Sequence, residues 1–237
     1  ENNIAIGREA LHDQTTVSNN VAIGGYALAQ NTSGTSNTAV GSNTLYDNTS
    51  GNQNTAVGFN ALTNNTTAPA NTAVGYKALE TTTIGDYNTA VGANTMDALT
   101  SGYHNVAVGY DALGAASAAD YNTAIGKGAL KTATTSDFNT AVGAEALETN
   151  STGAKNSALG FRALEANETA SFNTAVGYLA LQANTTGDDN VAVGKDALLG
   201  NTTGSHNSAF GCEALDVSSI GDHNTAIGKA ALGSNTT

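Results

Sequence analysis

The sequence predicts an all-β fold: a parallel β-solenoid (β-roll) of fourteen coils, each built from one 17-residue repeat. Three observations predict it. The pentad Asn-x-Ala-x-Gly recurs from Asn3 to Asn224 at an unbroken interval of 17 residues. Within the pentad, residue character alternates with the period of two that a strand imposes. Between pentads lie polar stretches such as Asn184-Thr185-Thr186-Gly187-Asp188, rich in residues that tolerate corner conformations.

Numbering the pentad Asn as position 1 lets each element be justified in order. Asn at position 1, for example Asn54 and Asn122, reads as a corner residue bonding backbone groups or the next Asn in the stack. Position 2 is Thr, Val, Ile or Ser, and position 4 is always apolar, as in Val57 and Ile125. These two share one strand face. The Ala at position 3 (Ala56, Ala124) and the Gly at position 5 (Gly58, Gly126) share the other. Leu follows at position 9 in thirteen repeats, Leu62 and Leu130 among them, with Met96 the exception. The expectation is that positions 4 and 9 fill a thin interior. The small Ala-Gly face then admits a close neighbour, either another wall of the same coil or second and third copies of the chain. The thin core favours further copies. Strand is expected over at least about 40% of the residues, with almost no helix, because apolar residues do not recur at helical spacing. The whole of 1–237 reads as one solenoid domain, and as a segment of a longer fibre.

The composition narrows the function. Twenty acidic residues against eight basic ones give a formal net charge of −12, which argues against nucleic acid, since phosphate binding needs a basic patch. No apolar run approaches the roughly 20 residues of a membrane-spanning helix, so membrane insertion of this segment is not expected. The single Cys212 allows no disulfide within the chain.

No catalytic constellation is visible, and no enzyme, cofactor or metal role is expected. His104, His206 and His223 all occupy position 17, where metal binding is a weaker reading than exposed corner residues. Asp86, Asp120, Asp137, Asp188 and Asp222 recur at position 16 without the dense acidic loop of a calcium solenoid. Asn31, Asn48, Asn65, Asn150, Asn167, Asn184, Asn201 and Asn235 each head an Asn-x-Ser/Thr triplet, read as a duplicated polar corner before a glycan acceptor. Thr at position 13, from Thr15 to Thr236 and including Thr66, Thr185 and Thr202, forms a regular row. Together with Tyr76, Tyr110 and Tyr178 at position 6, it supplies candidate surface contacts.

The units "NTAVGYKAL", "NTAVGFNAL" and "NVAVGYDAL", with corners such as "NTTG", resemble shaft repeats of phage tail fibres and large bacterial surface proteins. The segment "NNVAIGGYAL" (Asn19–Leu28) is similar to head repeats of trimeric autotransporter adhesins, although those use shorter units. The resemblance implies a left-handed parallel β-roll assembled as a homotrimer or joined end to end as a filament. It implies a virion, cell-surface or extracellular setting and a host-surface or extracellular-matrix ligand. A structural and adhesive fibre segment is therefore the leading expectation. The alternative is an ice-binding solenoid displaying the position 13 Thr row.

Overall fold

A computed structural model describes residues 2–217 and 220–235. It contains fourteen parallel strands of three residues, one per repeat, and no helix among the described residues. The chain divides into two compact units, Glu1–Asp120 and Tyr121–Thr237. The first carries β1 (Ile4–Ile6), β2 (Val21–Ile23), β3 (Thr38–Val40), β4 (Thr55–Val57), β5 (Thr72–Val74), β6 (Thr89–Val91) and β7 (Val106–Val108). The second carries β8 (Thr123–Ile125), β9 (Thr140–Val142), β10 (Ser157–Leu159), β11 (Thr174–Val176), β12 (Val191–Val193), β13 (Ser208–Phe210) and β14 (Thr225–Ile227).

Within each unit the strands pair in chain order and in strict 17-residue register. Ala56 faces Ala39 and Ala73, and Ala158 faces Ala141 and Ala175. Each repeat is thus one coil. Hydrogen bonds between coils extend well beyond the strands. Gly75 N–H donates to the Val57 carbonyl at 2.8 Å, Lys77 N–H to Phe59 at 3.0 Å, and Leu62 N–H to the Ala78 carbonyl at 3.0 Å.

The strand content is nevertheless far below the expected figure, since fourteen strands of three residues hold 42 of the 237 residues. The physical reason is the backbone at positions 7, 9 and 17. Asn60, Leu62 and Ala70 in one coil have φ of 56°, 50° and 57°, and the same positions repeat this through both units. Left-handed residues turn the chain sharply, so a 17-residue coil closes and stacks while only positions 2–4 stay extended. Each such residue costs about 1–2 kcal/mol when it carries a Cβ, a strain offset by the inter-coil hydrogen bonds.

The interior also differs from the sequence reading. Ala at position 3 points inward and is fully buried in coils such as those of Ala56 and Ala124, together with Leu62 and Leu130. Position 4 points outward, leaving Val57 36% and Ile125 39% exposed. Alternation defines two faces but not which one is inner. Volume decides it: a coil this small, already holding Leu at position 9 and Asn at position 1, has room opposite them only for Ala. The Ala column is therefore the core of its own coil and cannot be a contact between chains.

The glycine at position 5 meets its close neighbour within the stack. Gly126 has φ of 133°, and a Cβ there would lie 2.5 Å from the Gly143 carbonyl oxygen and 2.6 Å from its carbon. Both the conformation and the contact exclude a side chain. Gly25, by contrast, would place a Cβ no nearer than 3.9 Å to the Ser42 hydroxyl. Gly126→Ala should cost at least about 2 kcal/mol of stability, combining backbone strain with overpacking, whereas Gly25→Ala should change it by less than about 0.5 kcal/mol. Urea denaturation of the two variants checks this, and equal effects would contradict the proposed role of position 5.

Candidate functional site

The most regular polar feature is the position 1 Asn column. In coils such as those of Asn54 and Asn122 the side chain bonds the end of its own coil with Nδ2 and the start of the next coil with Oδ1. Asn54 Nδ2 donates to the Ala68 carbonyl at 2.9 Å, and Asn54 Oδ1 accepts from Asn71 N–H at 2.9 Å. Asn122 repeats this with the Ser136 carbonyl at 2.8 Å and Asn139 N–H at 2.9 Å. These residues are buried and satisfied. They belong to the scaffold, as the sequence reading proposed.

A second Asn column, at position 12, folds the opposite corner. Asn31 Oδ1 accepts from Gly34 N–H at 3.0 Å and its Nδ2 donates to the Gly34 carbonyl at 2.9 Å. Asn48 Nδ2 then donates to Asn31 Oδ1 at 3.1 Å, and Asn65 Nδ2 to Asn48 Oδ1 at 2.8 Å. In the next coil Thr82 occupies the position, and Asn65 Oδ1 is left buried without a partner. Leu99, Ala116 and Ala133 then replace the polar column with an apolar one. Asn31, Asn48, Asn65, Asn150, Asn167, Asn184 and Asn201 are all fully buried, so a glycan on any of them is incompatible with closure of its coil. In the triplet headed by Asn235, Thr237 lies outside the described residues.

The position 13 threonines are also turned to structural use. Thr66 Oγ1 donates to the Thr83 carbonyl at 3.1 Å and Thr185 Oγ1 to the Thr202 carbonyl at 3.0 Å, and both side chains are half-buried. Thr202 occupies the equivalent place in the following coil, while Thr236 lies outside the described residues. These hydroxyls use their single donor within the stack and keep acceptor capacity. The acidic column at position 16 serves the corners too. Asp120, Asp188 and Asp222 accept from the backbone N–H of Tyr103, Ser171 and Ser205 at 3.0, 2.7 and 2.7 Å.

The outward faces hold the remaining candidates. On the strand face, the aliphatic position 4 column stands beside Thr, Val, Ile and Ser at position 2. Aromatic residues flank it in sequence. Phe59 stacks on Tyr76 with centroids 5.9 Å apart, Phe161 on Tyr178 at 5.5 Å, and Tyr121 on Phe138 at 5.1 Å. Tyr76, Tyr110 and Tyr178 are each about half exposed. The His206 and His223 rings stack at 4.9 Å, and His206 Nδ1 lies 3.9 Å from an Asp189 carboxylate oxygen. The alternation of apolar columns makes this face legible in sequence, but its outward orientation is set by core volume.

Charged groups collect on another face, at positions 7 and 10. Glu145, Glu148 and Glu165 converge there. Arg162 already answers them, bonding Glu145 at 2.7 Å and approaching Glu165 at 3.5 Å, while Lys127 bonds Glu145 at 3.2 Å. Hydrogen bonds from Arg162 and Lys127 lower the Glu145 pKa. Asp97 is raised, chiefly by desolvation and then by the Asp111 charge. No family model, no curated protein and no solved structure matches this chain.

Two predictions follow from this geometry. Asn156→Ala strips partners from the Ala170 carbonyl and Asn173 N–H, bonded at 2.8 and 2.9 Å. The carbonyl keeps the bond from Asn167 Nδ2 at 3.0 Å, so one buried N–H left unpaired should lower stability by about 1–3 kcal/mol, measured by denaturant unfolding. For Asp97, a raised native pKa means that its charge opposes folding once pH exceeds the ordinary carboxylate range, and that this cost vanishes when both states are protonated. Asp97→Asn should therefore raise the melting temperature at neutral pH and leave it nearly unchanged at about pH 3.

Proposed function

We propose that this chain is a segment of an extracellular structural and adhesive fibre, non-catalytic in itself, that assembles with further copies of the same chain through the outward face of its strands. The observation that carries the reading is the position 4 column. Ile23, Val57, Val108, Ile125, Leu159 and Phe210 are between 36% and 50% exposed, although they are the apolar members of the strands. A sheet face that presents an apolar residue in every repeat, with stacked aromatic rings beside it, has the composition of an interface core. The exact repetition supports a fibre as well, because each coil offers an equivalent weak contact and the contacts add along the stack. Resemblance to tail-fibre shaft and adhesin head repeats supports a homotrimer. The contact surface differs from the Ala-Gly face first expected, since that face is internal. A setting at the virion or cell surface, and a ligand on a host surface or in the extracellular matrix, belong to the same proposal.

A second reading, an ice-binding solenoid, draws on one specific feature. Position 2 threonines such as Thr123 and Thr140 share the outward face with Ile125 and Val142 in register. Thermal hysteresis of a dilute solution tests it, and none is expected if the face is an assembly surface.

Light scattering tests the fibre reading. The wild-type chain should have a mass of three copies, or of a longer series, at micromolar concentration. Val57→Lys combined with Ile125→Lys should weaken association by at least about tenfold while leaving the far-ultraviolet circular dichroism unchanged, because both side chains lie outside the core. A wild-type monomer would overturn the assembly proposal.

A further inference from the structure

The face built from positions 7 and 10 carries charges in most coils, but not in the first unit around β2 to β4. There it holds two tyrosines and two asparagines. Tyr26, Asn43, Tyr46, Asn60 and Thr63 line a shallow cavity of about 400 Å³. The tyrosines do not stack as the other aromatic pairs do. Stacked pairs between successive coils have interplanar angles of 5–17°. Tyr26 and Tyr46 meet at 68° with centroids 6.1 Å apart, so one ring stands as a wall beside the other. The amides form a row in which Asn60 is held from both sides, and Thr63 ties the main chain of Asn43. Asn43 Nδ2 donates to Asn60 Oδ1 at 3.2 Å, Asn60 Nδ2 donates to Glu80 Oε1 at 2.9 Å, and Thr63 Oγ1 bonds the Asn43 carbonyl at 3.0 Å.

We infer that this cavity is a binding site for a neutral saccharide, taking one pyranose ring. The chemistry follows from the lining. The C–H face of a pyranose is apolar and flat and packs on an aromatic ring, while its rim of hydroxyls needs alternating donors and acceptors. Each amide retains donor and acceptor capacity beyond its bond within the row, since a primary amide has two N–H groups and an oxygen with two lone pairs. Positioned amides are preorganised, so little ordering cost falls on binding. Electrostatics select a neutral sugar. Glu80 sits at the edge of the amide row and is paired with Lys77 at 3.1 Å. The nearby Arg8, which lies over Tyr26 at 5.1 Å, is paired with Glu9 at 3.3 Å. Asp47, which adjoins Tyr46 in sequence, leaves carboxylates in excess of cations around the cavity. A carboxylate-bearing sugar would meet negative charge. The site is independent of assembly, because positions 7 and 10 are not on the outward strand face.

Saturation-transfer NMR of the full chain with methyl glycosides of glucose, galactose and N-acetylglucosamine, and with methyl glucuronide, tests the inference. At least one neutral glycoside should bind with a dissociation constant in about the millimolar range, and more tightly than the glucuronide. Tyr46→Ala should reduce the signal at least about fivefold, and Tyr26→Asn should do the same without straining the left-handed backbone at that position (φ 63°). Tyr103→Ala, an exposed aromatic elsewhere in the unit, should leave it unchanged. Unaltered melting temperatures establish that the variants are folded. Absence of transfer from every glycoside at about 10 mM, equal binding of the glucuronide, or full signal in folded Tyr46→Ala would each overturn the inference.

Discussion

Within each unit, successive coils are fastened by the side-chain amide of the position 1 asparagine, and much of the structure depends on that bond. The amide donates to a carbonyl near the end of its own coil and accepts from an N–H at the start of the next, a donor and an acceptor at once as in a backbone peptide. A tight corner breaks the regular peptide ladder and would leave that N–H buried and unpaired, at about 1–3 kcal/mol, while the carbonyl shares its bond with the position 12 amide of Asn65 at 3.1 Å. Asn is the residue whose short side chain carries both a donor and an acceptor at peptide geometry. Aspartate offers no donor, and leucine of similar size offers neither. Invariance of the column across fourteen repeats is thus a requirement of stacking.

From this corner the other columns take their sizes. The asparagine and the leucine occupy most of the interior, so the third inward position is limited to alanine and the larger aliphatic residue is turned outward. The chain then needs three left-handed residues per coil to close, and those conformations limit the extended segment to three residues. At position 5 the backbones of successive coils approach so closely that only glycine fits, in a conformation that other residues rarely adopt. One small perimeter therefore explains the Asn, Ala, Gly and Leu columns together.

The sequence disclosed the period, the parallel stacking and the corner role of Asn54 and Asn122, because these depend on spacing and residue type. It did not disclose that Ala56 faces in and Val57 faces out. A two-residue period is symmetric between faces, and the usual preference for burying the larger side chain pointed the wrong way. The sequence also did not disclose that the position 13 threonines bond the next coil: the row is exposed at Thr32 and Thr100 and half-buried at Thr66 and Thr185, and its hydroxyls donate within the stack. The Tyr26 and Tyr46 cavity had no periodic signal at all, since it arises where three coils depart from the charged pattern of positions 7 and 10.

That last point bears on where recognition can arise in a protein so uniform. Positions 1, 3, 5 and 9 are fixed by the stack, and substitution there costs stability. Positions 6, 7, 10 and 17 vary freely between repeats, from Lys77 to Tyr26 to Asp111 at position 7 alone. The inward columns therefore hold the coil geometry constant while the outward ones change one residue at a time. Successive coils can then place chosen side chains side by side, at the spacing that the backbone ladder sets. Asn43 and Asn60 are one such pair, aligned because they share position 7 and one bond. Specificity in this scaffold is a matter of which residues fill equivalent positions of neighbouring coils, and it requires no loop, insertion or separate domain.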